Sequence, residues 1–176
     1  MPTVNELISK VTALLDDTPD TINLINWFNQ CQDSLTNILY MPTLVTITRD
    51  VPTGLFLIPD NCNGELKILD PEDIETYSIY DNGIYFDGST ETSLTSTQIT
   101  YNKLPLEITN NPDQIPSIHP RFHDVYVLFA CMQAMHPEEE PERYTQYERD
   151  YLRMVIQIQK FYGKFRPKPA AWRVVR

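Results

Sequence analysis

The sequence predicts an α+β protein: a four-helix bundle carrying an antiparallel β-rich insertion and ending in an extended C-terminal arm. Three observations predict it. Apolar residues recur at helical spacing over residues 3–40 and again over 117–163. Between them, residues 43–109 hold short runs of β-branched and aromatic residues punctuated by Gly, Pro, Asn and Asp. The last thirteen residues, 164–176, carry five positive charges, no negative charge and two prolines.

The first helix is read from Val4, Leu7, Ile8, Val11, Leu14 and Leu15, which share one face. Thr18-Pro19-Asp20-Thr21 is the start of the second, with Thr18 as cap and Pro19 at the first helical position. Leu24, Phe28, Cys31, Leu35, Ile38 and Leu39 form its stripe, and Met41-Pro42 ends it.

Six strands follow: Leu44–Thr48, Leu55–Ile58, Leu66–Leu69, Tyr77–Tyr80 and Ile84–Phe86 as a hairpin, and Gln98–Tyr101. Asp81-Asn82-Gly83 is the hairpin turn, because Asn-Gly accepts positive φ at low cost. The Ser/Thr-rich stretch 89–97 reads as a loop or long hairpin. With no crossover helix between the strands, the sheet is antiparallel.

Pro116-Ser117-Ile118-His119-Pro120 opens the third helix. Phe122, Val125, Tyr126, Leu128, Phe129, Met132 and Met135 make it apolar nearly all round, so it is buried on most sides. Pro137 breaks it. The acidic run Glu138–Glu142 starts the fourth helix, where negative charge complements the helix dipole. Tyr144, Tyr147, Tyr151, Met154, Ile158 and Phe161 form its stripe, and Gly163 stops it. Neither helical zone hides its own stripe, so the two must meet. Residues 1–163 are thus expected to form a single domain, with helices in 3–40 and 117–163 and the insertion in 43–109, followed by the arm 164–176.

Composition narrows the function. At 176 residues, 41% hydrophobic and 22% charged, the chain suits one soluble globular domain. Its longest apolar run, Val125 to Met132, is far too short to cross a membrane, and Glu6 and Lys10 within the first apolar pattern speak against a signal peptide. Cys31, Cys62 and Cys131 are isolated, which suggests a reducing compartment and excludes a cysteine-pair metal or redox motif. The net charge is −10; subtracting the +5 of residues 164–176 leaves −15 on residues 1–163. An acidic body opposes general nucleic-acid binding, though not a surface that DNA slides past.

Chemistry-bearing constellations are few. His119 and His123 stand four apart with Asp124 adjacent, a spacing that lets two histidines share a zinc ion. Pro120 follows His119 where the metalloprotease motif needs Glu, and a packed helix start is the simpler reading. Glu138–Glu142 lacks the alternating ligands and glycine of a calcium loop. With five glycines in the whole chain there is little material for a phosphate cradle. The arm is too proline-rich to extend a helix and too apolar for a pure spacer. Phe165, Trp172, Val174 and Val175 gain little by staying in water, so it reads as an arm that docks on a neighbour.

Together these pieces resemble a known family. They are the N-terminal helical pair ending near Tyr40-Met41-Pro42, the strand with Leu57-Ile58-Pro59-Asp60, and the aromatic hairpin around Asp81-Asn82-Gly83. They continue with Ile115-Pro116-Ser117-Ile118-His119-Pro120-Arg121-Phe122-His123, the tyrosine-rich last helix and the extended tail. The chain resembles the head-to-tail adaptor (connector) proteins of tailed bacteriophages, which form a ring beneath the portal. The resemblance implies a structural virion protein of the neck, made in the host cytoplasm, with no catalysis, no cofactor and no membrane. It implies a homo-oligomeric ring, commonly a dodecamer, joining the portal protein to a downstream tail or nozzle protein while double-stranded DNA passes through. It implies docking of the arm on the portal, which falls to Phe165, Arg166, Trp172, Arg173, Val174 and Val175. Two other readings stand beside it: a metal-dependent hydrolase using His119 and His123, which stoichiometric metal in the purified protein would favour, and a tail-completion binding protein, which gel filtration with and without portal would separate.

Overall fold

The structure is a computed structural model that describes residues 1–16, 19–50, 52–63, 66–69, 77–80, 83–86 and 95–164. Two compact units divide the chain: Met1–Leu39 joined with the chain from Pro105 onward, and Tyr40–Leu104.

The first unit is helical. Helix α1 (Val4–Leu14) starts at a capping box: the Thr3 hydroxyl accepts from the Glu6 amide at 3.3 Å, and the Glu6 carboxylate accepts from the Thr3 amide at 3.1 Å. It buries Val4, Leu7 and Val11. Helix α2 (Thr21–Leu35) buries Leu24, Phe28, Cys31, Gln32 and Leu35. Its N-cap is Asp20, whose carboxylate accepts from the Ile22 amide; Pro19 therefore precedes the helix, and Thr18 lies outside the described residues. The helix also stops short of the expected Tyr40. Its last carbonyls are met by nearby hydroxyls, Ser34 on Cys31 and Thr36 on Gln32, and the chain turns.

A 3-10 turn over Pro120–Phe122 precedes α3 (Asp124–Ala134), and α4 runs from Pro141 to Tyr162. The expected four-helix bundle does not form. The main helix packing in this unit is all made by α3, against α1, α2 and α4. The reason lies in α3 itself. Val125, Tyr126, Val127, Ala130 and Cys131 are buried on several of its sides, so it serves as a core for three neighbours at once, where a bundle needs four equivalent stripes facing a shared axis. The class is α+β, with helices arrayed on a central one.

Loop 105–109 is tied to α2 by two side chains. Asn29 imitates a strand partner for Ile108, donating to its carbonyl at 2.9 Å and accepting from its amide at 2.8 Å. The buried Gln32 donates to the Leu106 carbonyl at 2.9 Å and accepts from the Tyr126 hydroxyl at 3.0 Å. Every buried polar atom of that amide's two ends is thereby engaged, as burial demands.

The second unit is antiparallel but holds two three-stranded sheets where one was expected. In the first, β6 (Ser96–Asn102) lies between β1 (Pro42–Thr48) and β3 (Lys67–Ile68). In the second, β5 (Gly83–Phe86) lies between β2 (Phe56–Leu57) and β4 (Tyr77–Tyr80). Ile47, Phe56, Ile84, Phe86, Ile99 and Tyr101 form the core, with Phe56 and Phe86 edge-on at 5.1 Å. The hairpin of Tyr77–Tyr80 with Gly83–Phe86 is present in register, while Asp81 and Asn82 lie outside the described residues. Gly83 belongs to the strand and does not have the positive φ expected of it. It is needed for proximity: a Cβ there would stand 2.9 Å from the Leu55 Cβ.

Candidate functional site

Arm residues Phe165, Arg166, Trp172, Arg173, Val174 and Val175 lie outside the described residues. What is described is their point of departure. Helix α4 ends at Tyr162, where Gly163 caps it by donating to the Gln159 carbonyl at 2.9 Å. An aromatic cluster surrounds this exit. Phe161 stands 5.2 Å from both His119 and Phe122, and the exposed Arg121 guanidinium lies over Phe122 and Phe161 at 4.9 and 5.7 Å. The Tyr162 hydroxyl accepts from the His119 amide at 2.9 Å. The end of α4 is thus fixed by stacking, cation–π attraction and a hydrogen bond.

The two candidate histidines have different tasks. His119 is exposed, and its Nδ1 caps the 3-10 turn by accepting from the Arg121 amide at 3.3 Å. His123 is buried, with Nε2 2.7 Å from the Ile118 carbonyl. That carbonyl only accepts, so Nε2 carries the proton, and Nδ1 has no hydrogen-bond partner among the described residues. Burial pushes the His123 pKa below its ordinary value, opposed by the carbonyls of Ile118, Pro2 and Pro116 and by the Asp124 charge. No group of three His, Cys, Asp or Glu side chains that could hold a metal ion occurs among the described residues. Cys31 and Cys131 are buried free thiols, as expected of small core residues, and burial pushes Cys131 up to about 11.

A further surface is absent from the sequence reading. Because α1 and α4 each pack on α3, an open groove of about 610 Å³ runs between them. Val127 and Leu128 of α3 form its floor, Ala13 and Leu14 of α1 one wall, and Met154 of α4 the other. Its rim is polar: Lys10 pairs with Asp124 at 2.6 Å, and Asp150 lies 3.5 Å from Arg153. At one end Arg143 fastens α4 to the end of α1, donating to Asp16 at 2.9 Å, to the Leu14 carbonyl at 3.1 Å and to Glu140 at 2.6 Å. Leu14 remains 44% exposed although it sits in the predicted apolar stripe. Nothing in the spacing of the stripe distinguishes Leu14 from its buried neighbours; only the central place of α3 leaves it uncovered. Leu152 and Ile156, exposed at 53% and 51%, put a second apolar strip on α4.

The family model described as SU10 adaptor protein matches residues 2–168. No curated protein matches the chain.

Proposed function

Since a match over residues 2–168 makes this chain a member of the SU10 adaptor protein family, a family of structural phage adaptors, we propose that it is the head-to-tail adaptor of a tailed phage virion. Copies of the chain form a ring, a dodecamer in the particle, that joins the portal protein to the tail or nozzle protein below it. Double-stranded genomic DNA passes through the ring. Residues 1–163 act as the adaptor body and residues 164–176 as the arm that docks on the portal, anchored by Phe165, Trp172, Val174 and Val175 and steered by Arg166 and Arg173. The observation that carries the reading is the family match. Since that match ends at residue 168, the tip of the arm is argued from this chain's own residues.

The physics is simple. Many weak docking events held at fixed spacing in a ring reinforce one another through effective concentration. A body carrying −15 repels DNA phosphates and lets the genome move without sticking. The adaptor works by holding neighbours in place, and no residue is assigned a catalytic task.

Removal of residues 164–176 tests the arm. Helix α4 already ends at its own cap, so the truncated protein should retain its helical circular dichroism. Binding to the portal protein of the same phage, followed by sedimentation, should be lost. Undiminished binding by a folded truncated protein would refute the role of the arm.

A further inference from the structure

We infer that the groove between α1, α3 and α4 is the resting place of the chain's own C-terminal segment, residues 165–176, when no partner holds it. This goes beyond the adaptor reading and does not depend on it.

The groove is the wrong surface to leave in water. Its floor and walls are Ala13, Leu14, Val127, Leu128 and Met154, an apolar concavity under a polar rim whose covering is favourable in proportion to the area removed from water. Something apolar and slender fits it, and the chain carries one such piece outside the described residues: Trp172, Val174 and Val175 within a segment that has no acidic residue. Geometry permits the return. From Gly163 back to Met154 is nine helical residues, about 14 Å of rise. Trp172 lies nine residues past Gly163, a reach of about 30 Å if extended. Pro167 and Pro169 disfavour continuation of a helix through this stretch.

Charge favours the same berth. Asp124 and Asp150 stand on the rim with their side chains 58% and 38% exposed. Each pairs with one cation, and a carboxylate has room for further donors. Arg166, Lys168, Arg173 and Arg176 supply them. Attachment to the same chain places the segment at millimolar effective concentration, so shallow contacts suffice to keep it docked, and a competing partner displaces it without unfolding anything.

The test uses the full chain without portal. The protein has two tryptophans, Trp27 and Trp172; Trp27→Phe leaves Trp172 as the sole reporter. Its emission should be blue-shifted and shielded from acrylamide. In that background Met154→Glu on the groove wall should shift the emission to the red and raise the quenching constant several-fold. Leu14→Glu, at a half-exposed position where the fold tolerates charge, should do the same and guards against a Met154 variant that fails to fold. Shielding should persist on dilution to nanomolar protein. A solvent-like Trp172 in the unaltered groove overturns the inference, as does shielding that both groove variants leave intact. Shielding lost on dilution also overturns it, by assigning the groove to the arm of a second copy. None of these results touches portal binding, which the truncation experiment tests separately.

Discussion

Single residues on the hidden side of α2 and α3 carry much of the specificity of the helical unit. Gln32 joins loop 105–109 to α3 through Leu106 and the Tyr126 hydroxyl. Gln32→Ala strands a buried hydroxyl and a carbonyl, so we expect a loss of about 1–3 kcal/mol in urea unfolding. A change within experimental error would mean that water replaces the amide freely. His123 gives a pH signature. Its folded pKa lies below the ordinary value, so between the two the unfolded chain binds the extra proton. Stability is then complete above about 6.5 and falls as pH drops below it, by at most about 1.4 kcal/mol per pH unit. Urea midpoints measured from pH 7.5 to 5.5 should decline, and His123→Gln should flatten the decline. An equally steep decline in that variant would remove His123 as its source. The buried identity of Cys31 and Cys131 was legible from their place in apolar patterns; the roles of Asn29 and Gln32 were not, because a polar residue inside a stripe reveals its partner only when the distant loop is in place.

At the scale of elements, local chemistry was the most readable. The stripes of α1 and α2, the all-round apolar α3 and the β4–β5 hairpin follow directly from residue spacing. The Thr3-x-x-Glu6 pattern also marks the start of α1. Thr3→Ala should cost about 1 kcal/mol, read as a lowered thermal midpoint; an unshifted midpoint would show that the hydrogen bonds from the Val4 amide to the Gln114 carbonyl (2.8 Å) and from the Asn5 amide to the Pro112 carbonyl (3.2 Å) hold the end without its cap. Gly83→Ala should weaken the β2–β5–β4 sheet, because the added methyl meets Leu55 at 2.9 Å, and proteolysis within the second unit would reveal it. The bundle was misjudged for a specific reason. Helical spacing tells how much of a helix is apolar but not which neighbour each face meets, and α3 has no single face.

For the whole molecule, the charge distribution decides behaviour before any partner arrives. With −15 on residues 1–163, copies repel one another over about 8 Å at physiological salt. The isolated protein should therefore be a monomer or a small oligomer; moderate salt should favour ring growth on the portal if the arm contacts are mainly apolar, and weaken it if they are mainly ionic. Trp172→Ala should weaken that assembly by about 2 kcal/mol or more. Light scattering of portal mixtures across a salt series checks both, and a stable closed ring formed by the protein alone at low salt would contradict them. The helical unit is also interrupted in sequence: Lys10 meets Asp124 across 114 positions and Gln32 meets Tyr126 across 94. As the chain leaves the ribosome, α1 and α2 emerge first with nothing to cover them, while Tyr40–Leu104 has all its own partners within reach. Order of synthesis and order of completion therefore diverge. The middle of the chain should therefore mature before its beginning. In pulse-labelled hydrogen exchange during refolding, the β5 and β6 amides should gain protection before those of α1; protection of α1 first would reverse this sequence of events.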